Sequence, residues 1–204
     1  MKVKQIFTTY DKAKQARESR YQFCALCGVK LKTVENNGKP IRQCPACGFV
    51  HYENPAPAVS ILVTDGENVL LCRRTMGRFQ GGKWCLPCGY IEFEEDYLTA
   101  AIREVKEETG LDVGIKSILS VVSNFFTPHL HTAVIVLLAW VVEREIRPAD
   151  DGESDAVQWF PLRGPLPEMA FEADSHIIER YRETRLAGAP VEYHQNNTES
   201  HNMT

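Results

Sequence analysis

The sequence predicts an α/β domain carried behind a small metal-stapled ribbon, and three observations predict it. Four cysteines fall as two CxxC pairs near the N-terminus, strand-like apolar runs then alternate with two amphipathic stretches, and the charge of the chain divides at the same place. Residues 1–50 carry a formal +7 and residues 51–204 carry −11, within a total of −4 over 204 residues. A composition of 44% hydrophobic and 25% charged residues is ordinary for a globular chain and excludes disorder, collagen and coiled coil. The basic segment either draws phosphates by long-range attraction or is a solvated face, and charge alone does not choose between them. The expected organisation is a basic segment over 1–20, a ribbon over 21–52, the α/β domain over 53–189 and a disordered polar tail over 190–204.

The ribbon rests on Cys24-Ala-Leu-Cys27 and Cys44-Pro-Ala-Cys47, two knuckles with 16 residues between them. Each tight turn brings two thiolates to one side of an ion, and two such turns complete a tetrahedron, which predicts Zn²⁺ rather than disulfides. Gly28 and Gly48 follow the second cysteine of each knuckle, where a positive φ serves the turn. Four protein ligands leave no open coordination position, so the zinc is expected to be structural. About 30 residues bury too little apolar surface to fold unaided, and metal binding on the order of 10 to 16 kcal/mol would supply the difference.

Beyond the ribbon, Asn54-Pro55-Ala56-Pro57 reads as an extended linker. Strands are expected at 58–64 and 69–72, joined by the Asp65-Gly66 turn, followed by a polar loop over 73–83. Residues 94–109 read as a helix with Gly110 at its C-cap, because Tyr97, Ala101, Ile102 and Val105 recur at helical spacing. Strands follow at 115–122, 132–142 and 156–160, then a helix over 173–186. The longest apolar run, Ala133 to Val142, falls short of the roughly 20 residues a membrane span needs and reads as a buried strand. Lys2 and Lys4 precede no apolar stretch, so neither a secretory signal nor a membrane contact is expected, and the cytoplasm is the expected location.

Acidic residues concentrate on the first helix. Between Glu92 and Asp112 eight acidic residues meet two basic ones, Arg103 and Lys106. On a helix, Glu104 and Glu108 project within about 40° of one another, and Glu107 lies about 60° to the other side of Glu104. Carboxylates about 4 Å apart repel by roughly 4 kcal/mol at an effective dielectric near 20, so the patch calls for a cation. Oxygen-only donors select a hard ion, Mg²⁺ or Mn²⁺, which shares its shell with substrate phosphates. The residues alone therefore lead to phosphate chemistry on a magnesium-binding helix.

Gly89, five residues, Glu95, seven residues and then Arg103-Glu104-Val105-Lys106-Glu107-Glu108-Thr109-Gly110-Leu111 match the Nudix box at every defined position. The chain thus resembles a Nudix hydrolase. With the ribbon ahead of Asn54-Pro55, Leu70-Leu71-Cys72-Arg73-Arg74 and Gly82-Lys83-Trp84-Cys85-Leu86-Pro87, the resemblance covers about residues 21 to 188 and is nearest the zinc-ribbon branch. It implies an α/β/α sandwich with a mixed sheet, in which Glu104 and Glu108 are direct ligands of Mg²⁺ or Mn²⁺ and Glu107 is a ligand or positions a water. It also implies that Glu95 and Arg103 orient the box and that the backbone carbonyl of Cys88 is a further ligand. Glycine is usual at that last position, so a positive φ there would strain the loop. The implied reaction is attack of water on a nucleoside diphosphate linked to another group, releasing AMP where the nucleotide is adenosine.

Other roles stay open between alternatives. Glu107 or Glu153 would accept the proton. Arg73, Arg74, Arg78 and Lys83 either clamp phosphate oxygens or are solvated. Phe125 and Phe126 either stack a base or belong to the core, with the core favoured. Two decoys are set aside: Gly77 to Trp84 nearly fits a phosphate loop but lacks its hydroxyl, and Trp84-Cys85-Leu86-Pro87-Cys88 resembles a redox site without the helix that one requires. ADP-ribose or FAD is the expected substrate because no Ser-Gln-Pro-Trp-type motif follows Gly110, with NADH as the alternative. A nucleotide-sensing binding protein is the non-enzymatic alternative. Nucleic acid is not an expected partner, and homodimerisation is the use the resemblance suggests for the ribbon.

Overall fold

Period-two alternation on both faces decides how the central strands are buried. In the computed structural model, which describes residues 3–11, 19–143 and 152–192, β5 (Ala56–Thr64) turns Val59, Ile61 and Val63 to one apolar cluster and Ala58 and Leu62 to another. The same division runs through β6 (Asn68–Arg74), where Leu70 faces the first cluster and Val69 and Leu71 the second. It recurs in β10 (Leu130–Glu143), with Leu137 and Ala139 on one side and Val134, Val136 and Leu138 on the other. Each cluster is closed by one helix. Ala100, Ala101 and Val105 of α1 (Tyr97–Thr109) cover the first, and Ala173, Ile177 and Ile178 of α2 (Glu172–Thr184) cover the second. A sheet apolar on both faces with a helix on each is the α/β/α sandwich that the family resemblance implies.

The main sheet runs β1-β9-β10-β5-β6-β11, with β1 at Ile6–Thr8, β9 at Asp112–Thr127 and β11 at Ser154–Pro161. Two short strands flank the turn that leads to α1. β7 (Trp84–Cys85) pairs with β6, and β8 (Cys88–Tyr90) pairs antiparallel with β5, setting Cys88 opposite Ser60 and Gly89 opposite Val59. β12 (Ala189–Pro190) pairs with β9. A separate three-stranded sheet, β2 (Lys32–Asn36), β3 (Lys39–Gln43) and β4 (Val50–His51), lies within the ribbon.

The chain forms two compact units. Of the described residues, one unit holds 3–7, 57–123, 133–143 and 152–192, and the other holds 8–11, 19–56 and 124–132. Most of the expected tail, residues 193–204, lies outside the described residues, as do 1–2 and 12–18 of the expected basic segment. No helix among the described residues is long and apolar enough to cross a membrane.

Several boundaries differ from expectation. Helix α1 starts at Tyr97 rather than Glu94, because Asp96 adopts an extended backbone and its carboxylate accepts the Leu98 and Thr99 amides at 2.8 and 3.0 Å. Gly110 closes the helix in the left-handed conformation, as its position predicts. Ala56 and Pro57, expected in the linker, open β5, and Arg73 and Arg74, expected in a loop, end β6. Replacing Asp96 by alanine should cost about 1 kcal/mol, and calorimetry should show the main unfolding transition lowered by about 2–4 °C.

Candidate functional site

The register that buries Val105 carries Glu104 and Glu108 out of water with it. Glu108 is 1% exposed and Glu104 8%. Glu108 Oε2 accepts the backbone N–H of Cys88 at 3.1 Å. Glu104 lies against the backbone of Gly89, where a Cβ would stand 2.1 Å from its carboxylate carbon. A Cβ at this position would push the Glu104 carboxylate aside, so glycine is what lets it come this close to the strand. Cys88 is extended strand, and positive φ among the described non-glycine residues is confined to Asn37, Gln80 and Arg185. The strain expected from a non-glycine residue at position 88 is therefore absent.

Arg103 ties the acidic residues together. Its Nε and Nη2 take the two oxygens of Glu95 at 3.0 and 2.5 Å, its Nη1 reaches Glu104 at 2.8 Å and Glu107 at 2.9 Å, and Nη2 also donates to the Tyr90 carbonyl. Glu95 precedes the helix, so the pair is a bidentate brace from the loop onto α1 rather than two turns of one helix. The Arg103 bond holds the Glu95 carboxyl below the usual carboxylate range, and Glu95 holds the guanidinium above its own. Burial pushes Glu104 up; Arg103 opposes this, and the charges of Glu107 and Glu153 add to the rise. Buried oxygen donors with excess negative charge are stabilised by a hard dication, and the set fits Mg²⁺ or Mn²⁺, which keep water and substrate oxygens in their shell.

The cationic candidates separate. Arg74 comes to the box: its guanidinium lies 5.6 Å from the Phe171 ring centre, and Nε donates to the Phe79 carbonyl at 2.7 Å. Burial works against its charge, but Cys88, Cys85 and Glu108 more than offset that. Arg73 instead pairs with Asp155 at 2.6 Å, Lys83 with Glu168 at 3.2 Å and Arg78 with Glu153 at 3.9 Å. Glu153 stands near enough to Glu104 to repel it, and its carbonyl accepts the Thr75 amide. Phe125 and Phe126 belong to the other compact unit, where Phe125 packs edge-on to His131 at 4.5 Å and Thr9 donates to the Phe126 carbonyl. The Cys85 thiol is drawn down by Cys88, but burial and the charges of Glu108 and Asp174 prevail and raise it. It lies in a strand, contrary to what a redox helix requires.

Sequence reasoning missed Asp174 and Ser60. Asp174 is buried, with Oδ2 accepting the Leu86 amide at 3.0 Å and Oδ1 the Ser60 hydroxyl at 3.3 Å. An acid in the first turn of a helix reads as an ordinary terminal charge, so the sequence carries no signal that it points inward.

In the ribbon, the four Sγ atoms of Cys24, Cys27, Cys44 and Cys47 lie within 4.8 Å of one another. Three of the separations are 3.4 to 3.6 Å. Sulfurs bound to one Zn²⁺ at about 2.3 Å stand about 3.8 Å apart on a tetrahedron, so this donor set fits the ion. The knuckles repeat each other: Gly28 and Gly48, both with positive φ, donate to the carbonyls of Cys24 and Cys44. The Cys47 and Ala46 amides draw the Cys44 thiol down to about 6, whereas at Cys27 and Cys47 the pull of the Val29 and Phe49 amides is overcome by the neighbouring thiols and by burial, which raise both. Leu31 with Cys24 and Cys44 makes the whole of the buried apolar cluster here, with Phe49 packed on it.

The NUDIX domain family matches residues 54–181. The chain belongs to the Nudix hydrolase family. It is 34% identical over 176 residues to the NAD-capped RNA hydrolase NudC of Pseudomonas aeruginosa, a match covering 85% of this chain and 59% of that protein. It is 35% identical over 131 residues to the ADP-ribose pyrophosphatase of Methanocaldococcus jannaschii, covering 64% of this chain and 75% of that one. The chain thus spans about three fifths of the NudC relatives it matches. A Nudix hydrolase crystal structure from Nitrosomonas europaea superposes with a TM-score of 0.71 at 29% identity, covering 85% of this chain and 97% of that one.

Gly89→Ala should leave the folded chain intact while displacing Glu104, and the Mn²⁺ affinity measured by calorimetry should fall at least about tenfold. Treatment with a strong chelator should raise amide hydrogen exchange across residues 21–52, while β5 and β6 keep their protection.

Proposed function

We propose that this Nudix protein catalyses Mg²⁺- or Mn²⁺-dependent hydrolysis of the pyrophosphate bond in an ADP-containing compound, with ADP-ribose or FAD as substrate and AMP as one product. The observation that carries the reading is the convergence of buried Glu104 and Glu108 on the Cys88–Gly89 backbone, with Arg103, Glu107 and Glu153 around them. In this reading Glu104, Glu107, Glu108 and the Cys88 carbonyl hold the ions. Bound dications neutralise pyrophosphate oxygens and make water a stronger nucleophile. Arg103 and Glu95 keep the glutamates in place, and Arg74, the cation brought to the box, grips a phosphate oxygen, with Phe171 beneath its guanidinium. One water adds to phosphorus, the bridging oxygen leaves with its electron pair, and the water's proton passes to a carboxylate. Glu107 and Glu153 are the two candidates for that role, each standing beside an arginine, Arg103 and Arg78 respectively. In the ribbon, Cys24, Cys27, Cys44 and Cys47 hold a structural Zn²⁺.

A second reading, an NAD-type substrate, is favoured by the extent of similarity. The 176-residue match to NudC outruns the 128 residues of the family match, so it includes sequence outside the Nudix domain. The panel that tests both therefore contains ADP-ribose, FAD, NADH and an NAD-capped RNA, a partner class the sequence reading set aside.

AMP should appear from at least one compound only with Mg²⁺ or Mn²⁺ present. Glu108→Gln should lower that turnover by at least about 100-fold with the thermal midpoint little changed. Full activity in that variant would remove the metal assignment, and silence across the panel would favour a nucleotide sensor.

A further inference from the structure

Among the described residues the buried carboxylates are Glu104, Glu108 and Asp174, and the reaction as drawn uses only the first two. Asp174 sits in the first turn of α2, on the other side of the sheet from α1, yet two bonds connect it to the box. Through Oδ2 it holds the amide of Leu86, in the turn between β7 and β8, whose next residue, Pro87, accepts the Ile61 amide. Through Oδ1 it holds the hydroxyl of Ser60, and Ser60 is the strand partner of Cys88. Cys88 in turn gives its N–H to Glu108, and Gly89, lacking a Cβ, leaves room for the Glu104 carboxylate. Asp174 is thus one residue removed from the backbone on which both glutamates rest.

Its charge bears on the same place. The groups facing it are the Arg74 guanidinium from β6, the Ser60 hydroxyl from β5, the Leu86 amide, and the Cys85 and Cys88 thiols from β7 and β8. On its own helix Glu172 is exposed and pairs with Lys4. Arg74, half-buried, feels Glu108 as well as Asp174, so the two carboxylates draw on one cation. Burial pushes the Asp174 carboxyl up to about 7, and the Leu86 amide, Ser60 and Arg74 pull against that rise. A residue needed only to fill this space would be apolar, because an isolated buried acid costs stability that packing does not return.

We propose that Asp174 is a positioning residue for the dication site: it fixes the Leu86–Gly89 turn against Glu104 and Glu108, and it holds Arg74 so that Glu108 stays available to the ion. This rests on the reading of those glutamates as metal-holding. Asp174→Asn keeps an oxygen for the Leu86 amide and removes only the charge, leaving Arg74 drawn toward Glu108 in competition with the ion.

The test is Mn²⁺ binding to the full chain without substrate, read by electron paramagnetic resonance, beside thermal unfolding. Asp174→Asn should weaken Mn²⁺ roughly tenfold while the midpoint stays within about 3 °C. The wild-type affinity should fall as the pH drops through about 7 in a step that the variant lacks, since the helpful charge is lost when the carboxyl is protonated. Equal affinities and equal pH profiles would overturn the proposal, as would weakening in proportion to lost folded protein. Should Asp174→Asn fail to fold, Ser60→Ala decides: weaker Mn²⁺ at an unchanged midpoint supports the positioning role, and unchanged affinity refutes it. If the wild-type chain itself does not take up Mn²⁺, the metal-holding reading fails first, and this proposal falls with it.

Discussion

Burying two glutamates of one helix face is the constraint on which the rest of this molecule depends. Glu104 and Glu108 leave water because Ala100, Ala101 and Val105 do, and a helix cannot bury one part of that stripe without the rest. Their compensation then has to come from what lies opposite, which is the Cys88–Gly89 backbone of β8, and from Arg103 on the same helix. The antiparallel pairing of β8 with β5 sets the height of that backbone, so the site is as rigid as the sheet. Enzymes that act through fixed charge need this kind of support, because a site that relaxes around its ligand loses the advantage of having been built in advance.

Arg103 shows how one side chain can organise several. Its planar fork satisfies both oxygens of Glu95 and still reaches Glu104 and Glu107, which a lysine cannot do with a single ammonium. The bonds to Glu95 also anchor the loop that precedes Asp96, the residue that starts the helix. Site geometry and helix start are thereby coupled: the brace that positions the carboxylates also limits where the chain enters α1.

Much of this was legible from residue order, and the parts that were not share a cause. The strand cores at 58–64 and 69–72, the two helices, the Gly110 cap and the glutamate face all follow from local periodicity, which the final packing reinforces. The short strands β7 and β8 were missed because two or three residues carry no period; their pairing is imposed by β5 and β6. The three strands of the ribbon escaped because none of their residues is fully buried and so no period is imposed on them, the small core here being Leu31 with Cys24 and Cys44. The four loop cations looked equivalent in sequence, and only the fold gives Asp155, Glu168 and Glu153 to three of them while bringing Arg74 to the box. Asp174 was invisible for the same reason: its importance lies in Leu86 and Ser60, 88 and 114 residues away.

The seven cysteines sort by the same logic of local against distant support. Four sit in two turns closed by glycines, which bring their sulfurs together. The other three, Cys72, Cys85 and Cys88, lie on paired strands, and beside Glu108 and Asp174 burial and negative neighbours raise the thiols of Cys85 and Cys88. A thiol kept protonated is a poor nucleophile and a poor soft-metal ligand. The buried, acidic surroundings of Glu108 thus disfavour the thiolate form of the Cys85 and Cys88 thiols beside it, while the same surroundings suit a hard cation.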